Sequence, residues 1–231
     1  MNSKNLHFTT LPTKGKAELL PGEIEGLSVY AYVLSPEESA VSELAAKSSK
    51  VFIIVEGSAY IGDTYCHNRG ILSCQGGEEK QIASASGAKI LEIRVSSTSG
   101  SCMCSDFLSY DNAPKYKEDC KSDKTVSRML LPDGIIENLA IGSVETYGED
   151  MVKAHEHPFC NQLFFSFSEN DMLLTIDGEP FSLKGNVLIH IPLASSHGVL
   201  VPKGGCAHYL WIDFIIGQEG ADYMSSAHQF V

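Results

Sequence analysis

Residues 155–167 read HEHPFCNQLFFSF, and residues 175–197 read TIDGEPFSLKGNVLIHIPLASSH. In an extended chain alternate side chains share a face, so His155 and His157 turn into the same interior while Glu156 faces away. Gln162 follows where the next strand begins. Asp177-Gly178 and Lys184-Gly185 mark two turns, Pro192 follows the run VLIHI, and His197 brings a third imidazole. Three neutral imidazoles and one amide oxygen make a four-ligand set for one divalent ion. Imidazole suits Zn, Fe, Ni or Cu, and the amide oxygen tolerates Mn. Because Gln brings no charge, an ion held this way keeps its full +2 and attracts anionic oxygens strongly. The alternative is a hydrogen-bonded polar cluster that has no metal.

Outward from this stretch the apolar runs are short and rich in β-branched and aromatic residues. They are VYAYV at 29–33, VFIIV at 51–55, ILEIRV at 90–95, MLLTI at 172–176, VLIHI at 187–191 and YLWIDFII at 209–216. Gly, Pro, Asp and Asn punctuate them, which predicts a mainly β protein of sandwich or barrel type. One stretch, PEESAVSELAAK at 36–47, predicts a brief helix. The chain also repeats itself: LPGEIEGLSVYAYV from Leu20 returns about 111 residues later as LPDGIIENLAIGSV from Leu131. Two copies of one domain are expected, joined by the polar stretches SSTSGSCMCSD at 96–106 and SYDNAPKYKEDCKSDK at 109–124.

The histidine and glycine spacing resembles the cupin superfamily. Its first motif appears here as Gly148, His155, Glu156, His157 and Gln162, and its second as Gly185, Pro192, Ala194 and His197. Gln162 stands where the family usually has Glu, Ala194 where it has Gly, the gap after Gly148 is one residue longer, and no Asn follows His197 at the usual distance. The resemblance implies two tandem cupin barrels of double-stranded β-helix (jelly-roll) type. These comprise an N-terminal arm at 1–17, a first barrel at 18–108, a linker at 109–126 and a second barrel at 127–231. It also implies a homodimer. Shifting the ligand positions back by the repeat length lands on Glu43 or Leu44, Ala45 or Ala46, and Lys50 or Val51, so the first copy is expected to bind no metal.

The formal net charge is −12, with 17 Lys and Arg against 29 Asp and Glu, which argues against nucleic acid as a partner. No apolar run reaches the ~20 residues of a membrane span, and the first twenty residues lack a signal-like segment, so a cytoplasmic protein is expected. Seven cysteines without a C-x-x-C pair read as reduced thiols, with Cys102 and Cys104 the only close pair. Cys160 reads as a buried packing residue. Phe164, Ser166, Tyr209 and Trp211 are candidate pocket residues. His190 reads as a strand residue, His208 and His228 have no partner spacing, and Lys184 and Lys203 read as exposed turn residues.

The function expected is that of an enzyme acting on a small polar or carboxylate-bearing molecule. His155, His157, Gln162 and His197 would hold one Zn, Ni, Mn or Fe ion as a Lewis acid for isomerase or lyase chemistry. Two alternatives stand beside it, an Fe- or Ni-dependent dioxygenase and a non-enzymatic small-molecule binding or sensor module.

Overall fold

The computed structural model describes residues 6–96, 106–118, 120–220, 222 and 229–230. Cys102, Cys104 and His228 lie outside the described residues. The fold is mainly β, and the apolar runs above all lie largely within strands. Two compact units form. Among the described residues, one holds those from Leu11 to Ala113 with Asp133–Glu137, and the other holds those up to Thr10, those from Pro114 to Pro132 and those from Asn138 onward.

The first unit contains β2 (Gly15–Ile24), β3 (Leu27–Leu34), β4 (Ser39–Ser42), β5 (Ser48–Ile61), β6 (Thr64–His67), β7 (Ile71–Gln75), β8 (Lys80–Ala83) and β9 (Ala88–Ser96). They form one sheet in the order β2-β3-β9-β5-β8-β4, with β6 and β7 also on β5. Its core gathers Phe52, Ile54, Ile61, Leu72, Ile82 and Ile90. The helix expected over 36–47 does not form. The chain turns at Glu37, with φ of 64°, and Ser39–Ser42 then pair with Lys80–Ala83. The Ser42 hydroxyl donates to the buried Glu92 carboxylate at 2.8 Å, so pairing across the sheet overrides a local helical preference worth only tenths of a kcal/mol per residue.

The second unit is built on a 12-stranded sheet ordered β1-β17-β14-β19-β12-β11-β10-β20, with β13, β15, β16 and β18 branching from it. The ranges are β1 Phe8–Thr10, β10 Lys115–Lys117, β11 Val126–Ile136, β12 Leu139–Tyr147, β13 Asp150–His155, β14 Cys160–Ser166 and β15 Asp171–Ile176. They continue with β16 Glu179–Lys184, β17 Val187–Ile191, β18 His197–Val201, β19 Cys206–Ile215 and β20 Gln229–Phe230. Asp177 and Gly178, both at positive φ, close the β15–β16 hairpin as a two-residue turn.

The expected N-terminal arm is divided in this fold. Phe8–Thr10 pair with Val187–Ile189 and cover the edge of β17, whereas β2 begins at Gly15. The expected linker likewise contributes β10, which pairs with both β11 and β20.

Candidate metal centre

Strand pairing brings the histidines together. His155 closes β13 and sits directly opposite His197, the first residue of β18, and their ring centroids are 4.6 Å apart. The ladder shifts register between Val152 and His155, and Gly198 lies where an added Cβ would come within 3.1 Å of the Ala154 nitrogen. His157 does not extend β13 as expected but stands in the connection to β14. Its ring nevertheless returns to the same side, with its centroid 5.0 Å from His155 and 5.4 Å from His197. Ligand nitrogens of the three rings lie within 4.8 Å of one another, while Glu156 is exposed.

Backbone carbonyls set the tautomers. Nδ1 of His155 donates to the Lys153 carbonyl at 2.8 Å, and Nδ1 of His197 to the Ser195 carbonyl at 3.1 Å. A carbonyl only accepts, so each Nδ1 carries a proton, and in the neutral ring the lone pair is left on Nε2. Burial, reinforced by the neighbouring His155, pushes His197 down to about 4, so its imidazole is neutral at pH 7.

Gln162 pairs across the sheet with Asp213, and its Nε2 donates to Asp213 Oδ1 at 2.7 Å. That bond turns Oε1 the other way. Oε1 of Gln162 and Nε2 of His197 are both buried without a hydrogen-bond partner, an arrangement that ordinarily costs about 1–3 kcal/mol per group. Lone pairs from imidazoles and an amide, with no proton of their own to share, fit a divalent cation.

These groups line a cavity with about 390 Å³ of atom-free space, mouth included. Phe164, Tyr209 and Trp211 lie on its wall. Ser166 does not; its hydroxyl donates to the Lys184 carbonyl and accepts from the Val187 nitrogen farther along β14. Cys160 is buried beside Asp213, and burial holds its thiol well above the usual range. His208 belongs elsewhere, fully buried with Nδ1 2.7 Å from Glu169. Lys184 pairs with Asp171 at the surface, and Lys203 is exposed.

Three ionisable cavity residues escape the sequence reading. Asp213 shares a strand face with Tyr209 and Trp211, and a carboxylate alternating with aromatics inside YLWIDFII is the signal that could have exposed it. Burial lifts its carboxyl to about 7. Glu118 and Lys121 come from the charge-rich segment after β10, where nothing separates them from solvated linker residues by sequence.

The strand order and site geometry place the chain among known folds. It is similar over 93% of its length to 93% of an IolB-like protein from Salmonella typhimurium, with a TM-score of 0.75 and 14% identity. A cupin 2 conserved barrel domain protein from Leptotrichia buccalis matches 90% of the chain over 91% of its own, at TM-score 0.61 and 15% identity. Oxalate decarboxylase from Lactobacillus farciminis, in complex with formate, matches 91% of the chain over 84% of its own, at TM-score 0.66 and 10% identity. No family model and no curated protein sequence matches the chain. The fold is therefore the cupin fold, with a histidine triad able to hold a metal.

Proposed function

We propose that His155, His157, Gln162 and His197 hold one divalent ion, Zn, Ni, Mn or Fe, and that the protein is an enzyme acting on a small polar or carboxylate-bearing molecule by isomerase or lyase chemistry. The observation that carries this reading is the pair of buried, partnerless lone pairs on His197 Nε2 and Gln162 Oε1, set beside the three-histidine cluster. A bound divalent ion acts as a Lewis acid that polarises a carbonyl or hydroxyl oxygen.

The chain's own residues do the rest. The Lys153 and Ser195 carbonyls orient two rings, and Asp213 orients the Gln162 amide. Such supporting bonds ordinarily govern metal affinity 10–100-fold. Phe164 packs edge-on against His197, with centroids 5.6 Å apart, and with Tyr209 and Trp211 lines the inner wall with aromatic rings. A cupin-fold neighbour named for oxalate and seen with formate lends support to a small carboxylate as ligand.

The internal repeat and the two units support two tandem barrels, the first at 18–108 and the second at 127–231, with the ion in the second alone. A cytoplasmic homodimer is part of the same reading. No helix among the described residues is long and apolar enough to cross a membrane.

Elemental analysis of protein purified without chelator, wild type beside His157→Ala, tests the assignment. One ion per chain, lost in the variant, is expected. Zinc, nickel or manganese with no oxygen uptake agrees with Lewis-acid chemistry, whereas iron or nickel with oxygen uptake turns the reading to a dioxygenase. No ion under any loading condition refutes the metal centre and leaves a small-molecule binding module.

A further inference from the structure

The segment between β10 and β11 supplies the cavity with a buried ion pair. β10 fixes Tyr116 opposite Ser127 on β11, and the Trp211 indole donates to the Tyr116 hydroxyl at 2.9 Å. Just beyond, Glu118 and Lys121 line the cavity as an ion pair, with Nζ 2.9 Å from Oε1 and side chains only 15% and 7% exposed. Lys121 also donates to Ser127 Oγ at 3.2 Å and lies 5.3 Å from the centre of the Tyr116 ring. Two of its three ammonium donors are thus engaged.

Downstream, the segment is bound to β13. The Cys120 carbonyl accepts from the Lys153 nitrogen at 2.9 Å, and the Ser122 and Thr125 hydroxyls donate to Asp150 at 2.7 and 3.0 Å. This positions Lys121 firmly rather than leaving it on a loose loop.

We propose that Lys121 is the recognition residue for a carboxylate of the substrate, and that Glu118 is the internal counter-ion which the substrate carboxylate displaces from it. The ligand class is then a small acid carrying a hydroxyl or carbonyl, with the carboxylate at Lys121 and the second oxygen function toward the imidazoles. This deepens the proposed function and rests on it for the second contact only. The Lys121 ammonium selects an anion over a neutral isostere, because only a charged oxygen can replace Glu118 as its partner, whereas the neutral form leaves the internal ion pair in place.

The experiment uses the full-length protein loaded with zinc, and the fluorescence of its single tryptophan, Trp211, as the reporter inside the cavity. Glycolate, lactate, malate and glucuronate are each titrated beside the corresponding neutral amide. Wild type is expected to bind at least one acid in preference to its amide. Lys121→Met weakens that acid about 10–100-fold with the amide unchanged, and Lys121→Arg keeps most of the preference. Glu118→Gln should act in the opposite direction and tighten the acid, since it removes the competing carboxylate. A purely structural role for the pair would weaken binding in both variants.

The circular-dichroism spectrum and thermal melt of every variant serve as the folding control, and zinc stoichiometry is measured beside them. No preference for any acid in wild type, or an undiminished preference in Lys121→Met with zinc bound, overturns the proposal. Failure of the metal centre has a different signature: no zinc is retained, while discrimination between acid and amide still depends on Lys121.

Discussion

Asp213 and His197 are both buried against the same cavity, and burial drives their acid–base behaviour in opposite directions. The Asp213 carboxyl is lifted from 3.8 to about 7, so between those values the folded chain holds a proton that the unfolded chain has released, and this group's contribution falls as pH rises. His197 is pushed from 6.5 down to about 4, so on acidification through that window the unfolded chain takes up a proton first and stability falls. The slopes oppose each other between about pH 4 and 6.5 and largely cancel. In metal-free protein, Asp213→Asn is therefore expected to gain about 2–4 kcal/mol at pH 8, to gain nothing near pH 3, and to lose stability more steeply than wild type from pH 6.5 to 4. Urea unfolding across pH checks this, and equal stability at every pH refutes it. The histidine register was legible because it depends on short-range spacing, whereas Asp213 depends on a partner strand 51 residues away. Ala194 has a φ of 58°, the left-handed conformation that glycine adopts freely and alanine does not. Ala194→Gly should raise stability by about 0.5–1 kcal/mol in thermal or urea melts, the Cβ strain relieved outweighing the added freedom of the unfolded chain. A loss would show that the strain is relaxed elsewhere.

Among the elements, the strands were legible from their apolar runs, but which segments cover the site was not. The stretch 36–47 has good local helix formers yet supplies β4, because Ser39–Ser42 complete a ladder with β8 and Ser42 satisfies Glu92. The segment from β10 to β11 has linker composition yet forms part of the cavity wall, because Asp150 gathers it in. Burial pushes the Asp150 carboxyl up, but donation from Ser122, the Met151 nitrogen, Thr146 and Thr125 outweighs it and holds the group below its ordinary value. Asp150→Ala leaves those donors without their acceptor and should cost about 2–4 kcal/mol. The loss should be local as well as global, with amide exchange over residues 120–125 accelerating more than in β14 or β19. Uniform acceleration across the sheet would show that the segment is not held by Asp150.

At the scale of the whole chain, the two units diverge sharply at equivalent ladder positions. In β5, Lys50 lies opposite Arg94 on β9 and Cys74 on β7, just as Gln162 in β14 lies opposite Asp213 on β19 and Ile191 on β17. The fully buried Lys50 ammonium donates to Ser42 Oγ at 3.0 Å and to the carbonyls of Glu43 and Glu78 at 2.6 and 3.0 Å. Glu92, also fully buried, accepts from Tyr32, Ser42 and Arg94. A fixed ammonium therefore takes the ladder position in the first unit that the Gln162 amide takes in the second, with the Glu92–Arg94 ion pair buried close by. Ligand binding to the folded state alone stabilises by RT ln(1 + [L]/Kd), about 2.7 kcal/mol at one hundred times Kd. Zinc at that excess is expected to stabilise wild type by this amount, with amide protection rising in β13, β14 and β18 and not in β5 or β9. Stabilisation should vanish in His157→Ala and persist in Lys50→Met, which lowers the stability of the first copy without creating a second site. A second equivalent of zinc in wild type, or protection gained in β5, would show that the first unit binds an ion as well.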